Sequence, residues 1–360
     1  MHIIYTTKIY LPHIGGVELY IKKLADYFVS KGNSVTVITA DEEVPHLVEE
    51  KSEEIKILRI PAKSVGGIFF LKKKKDIVKI KSELEKADIV HVNDCKFLFR
   101  FFALEKKYFH YKLICSSHGW LFHTNNHSFI KRLYFKNVVA KASCFYDSII
   151  SVSEQDKTIA EKYGFSCDTV IYPGVNCYKY AGLPRKDFCE NIFFYWGRIS
   201  QNKGILEALR KFSSLKSDFK FIIAGKCEDE SYMKLLSDFI SRNGMYEKVN
   251  FIGQLSDSEI REKIIESDFI VLPSLHEGFG ITLVECLCSG RPIIANKNDS
   301  YSKILSLVGS TEYLFDFQDK KTDLNEKISE LQRKKISPRN IEQFSDVTVF
   351  EKIEKIYSLC

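Results

Sequence analysis

Short apolar runs alternate with amphipathic stretches along the whole chain, the pattern of parallel strands wound with helices. In the first half the apolar runs predict strands at 2–7, 34–40, 55–60, 88–93, 112–116, 147–152 and 168–172. Helical spacing falls between them near 16–31, 74–86, 96–107, 128–143 and 154–164. Pro173-Gly174 closes this half, and 176–190, with Gly182, Pro184 and mixed charge, reads as a connector. A second series predicts strands at 192–196, 219–225, 249–253, 268–272 and 292–296, and a short one near 312–316. Its helices fall near 203–216, 230–243, 257–267, 280–289 and 319–334, and a last amphipathic segment, 340–359, has no strand after it. The fold class that follows is α/β, with two Rossmann-like halves. In such folds ligands bind outside the carboxyl ends of the strands, so a cleft between two facing halves is expected.

Composition narrows the class. At 360 residues and 45% apolar content the chain can bury two cores. No run of about 18 apolar residues is present, so no helix is expected to span a membrane. The start, Met1-His2-Ile3-Ile4-Tyr5, is strand-like and lacks the parts of a signal peptide. Ten cysteines are scattered without a C-x-x-C, which reads as reduced, mostly buried thiols in a cytoplasmic protein. The net charge of +6 lies in the first half: residues 1–170 carry 26 Lys and Arg against 20 Asp and Glu, and the rest carries 27 of each. Residues 69–142 alone hold 16 basic and 6 acidic side chains. A basic face confined there suits an anionic partner, a phospholipid surface or a phosphorylated acceptor; solvated helix lysines are the plainer reading. No nucleic-acid recognition module accompanies it.

Four strand-end motifs carry candidate chemistry. Pro12-His13-Ile14-Gly15-Gly16-Val17-Glu18 opens a helix, where paired glycines let backbone N–H groups face a phosphate or a sugar. It lacks the G-x-G-x-x-G of a dinucleotide site, which makes a dehydrogenase a poor match. Ile114-Cys115-Ser116-Ser117-His118-Gly119-Trp120 sets His118 just past a buried strand, able to donate to a sugar hydroxyl or position a developing charge. His123 and His127 follow, but only Cys115 could join them as a ligand, so the three are not read as a metal site. Tyr195-Trp196-Gly197-Arg198 to Lys203-Gly204 brackets a strand–helix loop with two cations that can reach one diphosphate. The richest string is Ser274-Leu275-His276-Glu277-Gly278-Phe279-Gly280-Ile281-Thr282-Leu283-Val284-Glu285. It turns through two glycines into a helix whose N-terminus suits phosphate. Its two carboxylates stand about two helical turns apart, roughly 10–12 Å, too far for a glycoside hydrolase pair.

Taken together, Gly15-Gly16, His118-Gly119, Gly197-Arg198 with Lys203-Gly204, and Glu277-Gly278-Phe279-Gly280 with Glu285 resemble the retaining GT-B glycosyltransferases of family 4, over essentially the full chain. The resemblance implies an N-terminal Rossmann-like acceptor domain at 1–174, a linker at 175–190 and a nucleotide-sugar domain at 191–338. It also implies a C-terminal helix in 339–360 that crosses back to the first domain. It implies that Arg198 and Lys203 neutralise the diphosphate, that the amides of Ile281 and Thr282 cap it, and that Glu285 holds the ribose. Glu277 would bind the transferred sugar near its C3 hydroxyl, His118 its C6 hydroxyl, and Gly16 would approach the phosphates. Gly225 and Gly253 would line the base pocket. No Asp-x-Asp occurs, so charge would be handled by cations and a helix dipole without metal or other cofactor, the nucleotide sugar being a co-substrate.

The loop Ser117 to Thr124 is similar to that of bacterial mannosyltransferases that extend polyprenol-diphosphate-linked oligosaccharides. The favoured donor is therefore GDP-mannose, and the acceptor a lipid-linked saccharide of surface polysaccharide synthesis. The enzyme would then sit peripherally on the inner face of the plasma membrane. Phe69-Phe70-Leu71 before four lysines, and Phe129 to Lys136, fit docking on an anionic bilayer. A UDP-sugar donor, a soluble acceptor, or a non-catalytic nucleotide-sugar-binding protein are the alternatives.

Overall fold

The computed structural model describes residues 1–13, 15–121, 128–184, 190–333 and 339–359. It has two compact units, Met1–Gly174 with Asp346–Cys360, and Val175–Ser345. The first holds strands β1 (His2–Thr7), β2 (Ser34–Asp41), β3 (Val48–Ser52), β4 (Ile55–Val65), β5 (Ile68–Leu71), β6 (Ile89–Val92), β7 (Lys112–Ser116), β8 (Ser148–Ser151) and β9 (Thr169–Val170). They run in the order β3-β4-β2-β1-β6-β7-β8-β9, with β5 on β4. From β4 through β9 the pairing along this order is parallel, with Ile3 opposite both Val35 and Ile89.

Successive residues of a strand face opposite sides, so β1 feeds two cores. Ile3 and Tyr5 pack with Leu24 and Phe28 of the helix Gly16–Ser30 and with Phe350 and Ile353 of the last helix, Asp346–Leu359. Ile4 belongs to the other side, with Leu84, Phe99, Phe102 and Phe135. The last helix is also pinned by a buried polar contact. Tyr357 Oη lies 2.6 Å from His91 Nδ1, and His91 Nε2 lies 2.8 Å from Ser116 Oγ. Burial lowers the pKa of His91 to about 3, so the imidazole is neutral there.

The second unit holds β10 (Ile192–Trp196), β11 (Lys220–Ala224), β12 (Val249–Phe251), β13 (Phe269–Leu272), β14 (Ile293–Asn296) and β15 (Leu314–Phe315), all parallel, in the order β12-β11-β10-β13-β14-β15. Phe193 stacks on Phe269 with centroids 5.1 Å apart and meets Phe212 edge-on from the helix Ile205–Phe212. That helix is apolar on one side only, as a helix covering a sheet must be.

Four elements depart from the sequence reading. Val48–Ser52 is an exposed edge strand of mostly charged residues, held antiparallel on β4, where Arg59 pairs with Glu50 and Lys56 with Glu49. Ile68–Leu71 folds back on β4 through Gly66-Gly67, both in the left-handed region. Asp299–Leu307 is a helix where none was expected. The segment expected as one helix at 128–143 is broken by a π-helical turn at Phe135–Val139. Among the described residues no helix is long and apolar enough to cross a membrane.

Candidate active site

In the second unit the sequence candidates gather at the carboxyl edge of its sheet. Gly197 and Arg198 follow β10, Gly225 follows β11, Gly253 lies beyond β12, and the Glu277 string follows β13. Two loops are stitched together by Leu275 N, which donates to Asn202 O at 2.9 Å. This brings the Lys203 Nζ within 2.6 Å of Glu277 Oε1, both side chains largely shielded. Tyr301 Oη donates to the same oxygen at 3.2 Å. Burial, and then the neighbouring Glu277 carboxylate, push the Tyr301 phenol up, which keeps it a donor. Arg198 is exposed and makes no ion pair among the described residues.

The helix Ile281–Ser289 begins at Gly280, whose φ of +98° is left-handed, and no side chain caps it. Its first amides, on Ile281 and Thr282, are therefore open to an anion, and the helix dipole points the same way. Gly280 is required there twice over: a Cβ would meet Tyr301 Cε1 at 2.7 Å. Gly278 and Phe279 complete the turn, and Phe279 packs against Phe344. Only the part of the string from Ile281 onward is helical, so the helical rise spans half of the sequence distance between Glu277 and Glu285.

The unexpected helix Asp299–Leu307 is what holds this loop. Asn298 caps it, accepting from Tyr301 N, and its Nδ2 donates to Ser274 O at 2.8 Å. Asn296 Nδ2 donates to the same carbonyl at 3.1 Å. Ser300 Oγ donates to Glu277 O at 2.7 Å. Glu285 meets Lys179 Nζ at 3.4 Å, and Lys179 also pairs with Asp257 at 2.8 Å. Burial alone would lower the Lys179 pKa, but Asp257, Glu285 and Tyr180 outweigh it and the ammonium is held above its ordinary value. Lys179 lies in the stretch read as a connector, which is why its spacing gave no signal.

In the first unit, Gly15, Gly16 and His118 lie beyond the carboxyl ends of β1 and β7. Ile14, His123 and His127 fall outside the described residues. The Glu18 carboxylate folds against Gly15, where a Cβ would stand 2.3 Å from its Oε2, whereas Gly16 is open. His118, Gly119 and Trp120 all have positive φ, at +40°, +87° and +45°. Such a run costs backbone energy and persists only where the surroundings dictate it. Here Asp156 dictates it: its carboxylate accepts from Ser117 Oγ and, at 2.9 Å, from Gly119 N, and its carbonyl accepts from Trp120 Nε1 at 2.9 Å. Tyr20 meets the His118 ring edge-on at 4.9 Å, and Asn93 Oδ1 lies 3.2 Å from Nε2. Burial lowers the His118 pKa to about 4. Asp156, Asn93 and Tyr20 had no motif to reveal them.

The site in the second unit is thus an uncapped helix N-terminus with an exposed arginine, a shielded Lys–Glu pair and a second carboxylate, fit for a diphosphate flanked by hydroxyl-bearing groups. Comparison with known proteins speaks to family and fold. Residues 14–179 match the family model Glycosyltransferase Family 4, and residues 185–346 match Glycosyl transferases group 1. The GDP-mannose:cellobiosyl-diphosphopolyprenol alpha-mannosyltransferase of Xanthomonas oryzae is 29% identical over 304 residues, 82% of this chain and 79% of that protein. The O-antigen chain mannosyltransferase RfbU of Salmonella typhimurium is 25% identical over half of each chain. The structure of Anabaena HepE in complex with UDP superposes with a TM-score of 0.78 over the whole of both chains at 18% identity, which speaks to fold. The two family models succeed each other along nearly the entire sequence, and the chain belongs to the family 4 glycosyltransferases, with the GT-B fold.

Proposed function

We propose that this glycosyltransferase is a retaining, metal-independent hexosyltransferase that moves mannose from GDP-mannose to a lipid-linked saccharide in surface polysaccharide synthesis. The observation that carries the reading is the Lys203–Glu277 pair beside the uncapped helix at Ile281. In this reading Arg198, Lys203 and the amides of Ile281 and Thr282 take up the charge of the diphosphate as it leaves. Glu277 grips a sugar hydroxyl, Glu285 the ribose, and Gly225 and Gly253 border the base. His118 meets another sugar hydroxyl, and Gly16 approaches the phosphates. The acceptor hydroxyl forms its bond to the anomeric carbon on the face the diphosphate leaves, and a phosphate oxygen takes its proton. Retention then needs no carboxylate nucleophile.

The choice of GDP-mannose rests on the donor in the Xanthomonas relative's name and on the sequence of the string Ser117 to Thr124. A bound donor stabilises the native state by mass action, about 2.7 kcal/mol at a hundred times its Kd. GDP-mannose is accordingly expected to raise the melting temperature more than UDP-glucose, UDP-galactose or UDP-N-acetylglucosamine. A larger shift with a UDP-sugar reassigns the donor, and no shift with any removes the transferase reading. Transfer to a polyprenol-diphosphate oligosaccharide is expected to be undiminished in EDTA, because fixed cations replace a metal in this scheme; strict Mn²⁺ dependence contradicts it.

The acceptor's lipid calls for a membrane surface, and the first unit offers exposed apolar side chains beside basic ones. Phe70, Phe129 and Leu133 are all more than half exposed, next to Lys72–Lys75 and Arg132. Phe69 N donates to Lys96 O, and Tyr134 Oη donates to Cys95 O, so both segments flank one stretch of chain. Each basic residue near an anionic leaflet contributes roughly 1 kcal/mol, screened by salt. The protein should co-sediment with phosphatidylglycerol vesicles at low salt and release at high salt. Equal binding to neutral vesicles counts against this surface.

A further inference from the structure

We propose that Asn93 is a positioning residue that holds His118 as its Nε2–H tautomer, so that Nδ1 serves as a hydrogen-bond acceptor for a hydroxyl of the transferred sugar. The inference rests on the reading that His118 meets that sugar. Asn93 follows β6, is fully buried, and its backbone N donates to Thr6 O at 2.9 Å. Its amide cannot turn over freely. Nδ2 donates to His91 O at 3.1 Å, and reversing the amide would set two carbonyl oxygens against each other at that distance. Oδ1 therefore faces His118 Nε2 at 3.2 Å. An amide oxygen only accepts, so the ring must donate through Nε2.

The other nitrogen follows from charge. A neutral imidazole carries one N–H, and with the proton on Nε2 the Nδ1 lone pair is left over. Burial disfavours the imidazolium, so the ring is neutral at pH 7. Nδ1 has no hydrogen-bond partner among the described residues. The ring cannot swing away to find one, because Tyr20 abuts it and the backbone of 118–120 is fixed by Asp156. His118 thus takes a proton-bearing group from the ligand and gives none. That changes its role from a donor to a sugar oxygen into an acceptor from a sugar hydroxyl.

Long-range ¹H–¹⁵N spectra of histidine-labelled protein test this directly, with the His118 signals among the nine histidines identified by their loss in His118→Gln. At pH 7 the expected pattern is a protonated Nε2 and a pyridine-like Nδ1. Asn93→Leu, which keeps volume but removes the acceptor, should give mixed tautomers and a kcat about tenfold lower, with the affinity for GDP unchanged. A wild-type Nδ1–H form, or an Asn93→Leu variant with wild-type tautomer and kcat, overturns the proposal. The wild-type spectrum stands even if the variant does not fold. Saturating GDP-mannose or UDP-glucose should move the Nδ1 resonance. If the tautomer is as expected and neither moves it, the sugar contact of His118 fails while the assignment of Asn93 holds.

Discussion

Glu277→Ala is expected to lower transfer by about 10²–10³-fold while the protein stays folded and still binds free nucleoside diphosphate. The catalytic loss is of the size seen when one pre-aimed polar group is removed from a site of developing charge. The loop should survive because little of its architecture runs through the carboxylate. Asn296 and Asn298 grip Ser274 O, and Ser300 grips the backbone of Glu277, whatever the side chain. What is lost is the partner of Lys203 and Tyr301. Lys203 keeps some access to solvent, so the stability cost should stay near 1–2 kcal/mol, and a Tm shift of a few degrees follows for a domain of this size. The released ammonium is also free to meet a phosphate, so the Kd for GDP should hold or tighten as kcat collapses. Isothermal titration beside a transfer assay separates the two quantities. Transfer within threefold of wild type, in a folded variant, means that Glu277 does not touch the sugar.

The pairing behind that prediction was only half legible in the sequence. The apolar runs marked the buried strands well, because a parallel strand covered on both faces has to be apolar throughout. They failed at Val48–Ser52, where an edge strand carries charges that discourage further pairing, and the same polarity hides it. They failed again at Asp299–Leu307, although Asn298-Asp299 is a cap signal, because the helix is short and follows β14 almost at once. That omission matters for the site, since Ser300 and Tyr301 grip the Glu277 loop from that helix. The glycine-rich loops were visible as motifs, yet the partner each side chain takes was not. Lys203 and Glu277 are 74 positions apart, and Lys179 reaches Glu285 from a stretch that looks like a linker. Periodicity describes which face of an element is buried. It does not say which loops a sheet's strand order brings side by side, and here that order sets β10 against both β11 and β13.

The same strand order makes Gly225→Ala the most destabilising single methyl expected at this edge. Gly225 leaves β11 with φ +147°, and a Cβ there would lie 1.7 Å from Gly197 O. Neither group can retreat cheaply. Gly197 N donates to Ala224 O at 3.0 Å, and Gly225 N donates to Gly253 O at 2.7 Å, so three neighbouring strand ends are tied through these glycines. The left-handed backbone costs an L-residue about 1–2 kcal/mol, and forcing a methyl into a filled space about 1–3 kcal/mol more. A total near 3–4 kcal/mol lowers Tm by roughly 10 °C in a domain of this size. Relief by moving Gly197 would carry Arg198 with it, so donor affinity should fall in the fraction that folds. Gly16→Ala gives the contrast: nothing stands within 4 Å of its Cβ and its φ is ordinary, so its Tm should stay close to wild type. If Gly16 lies against a bound phosphate, that stable variant loses transfer, whereas Gly225→Ala loses transfer and stability together. A melting curve for Gly225→Ala within 2 °C of wild type would show that the strand ends are not packed this closely.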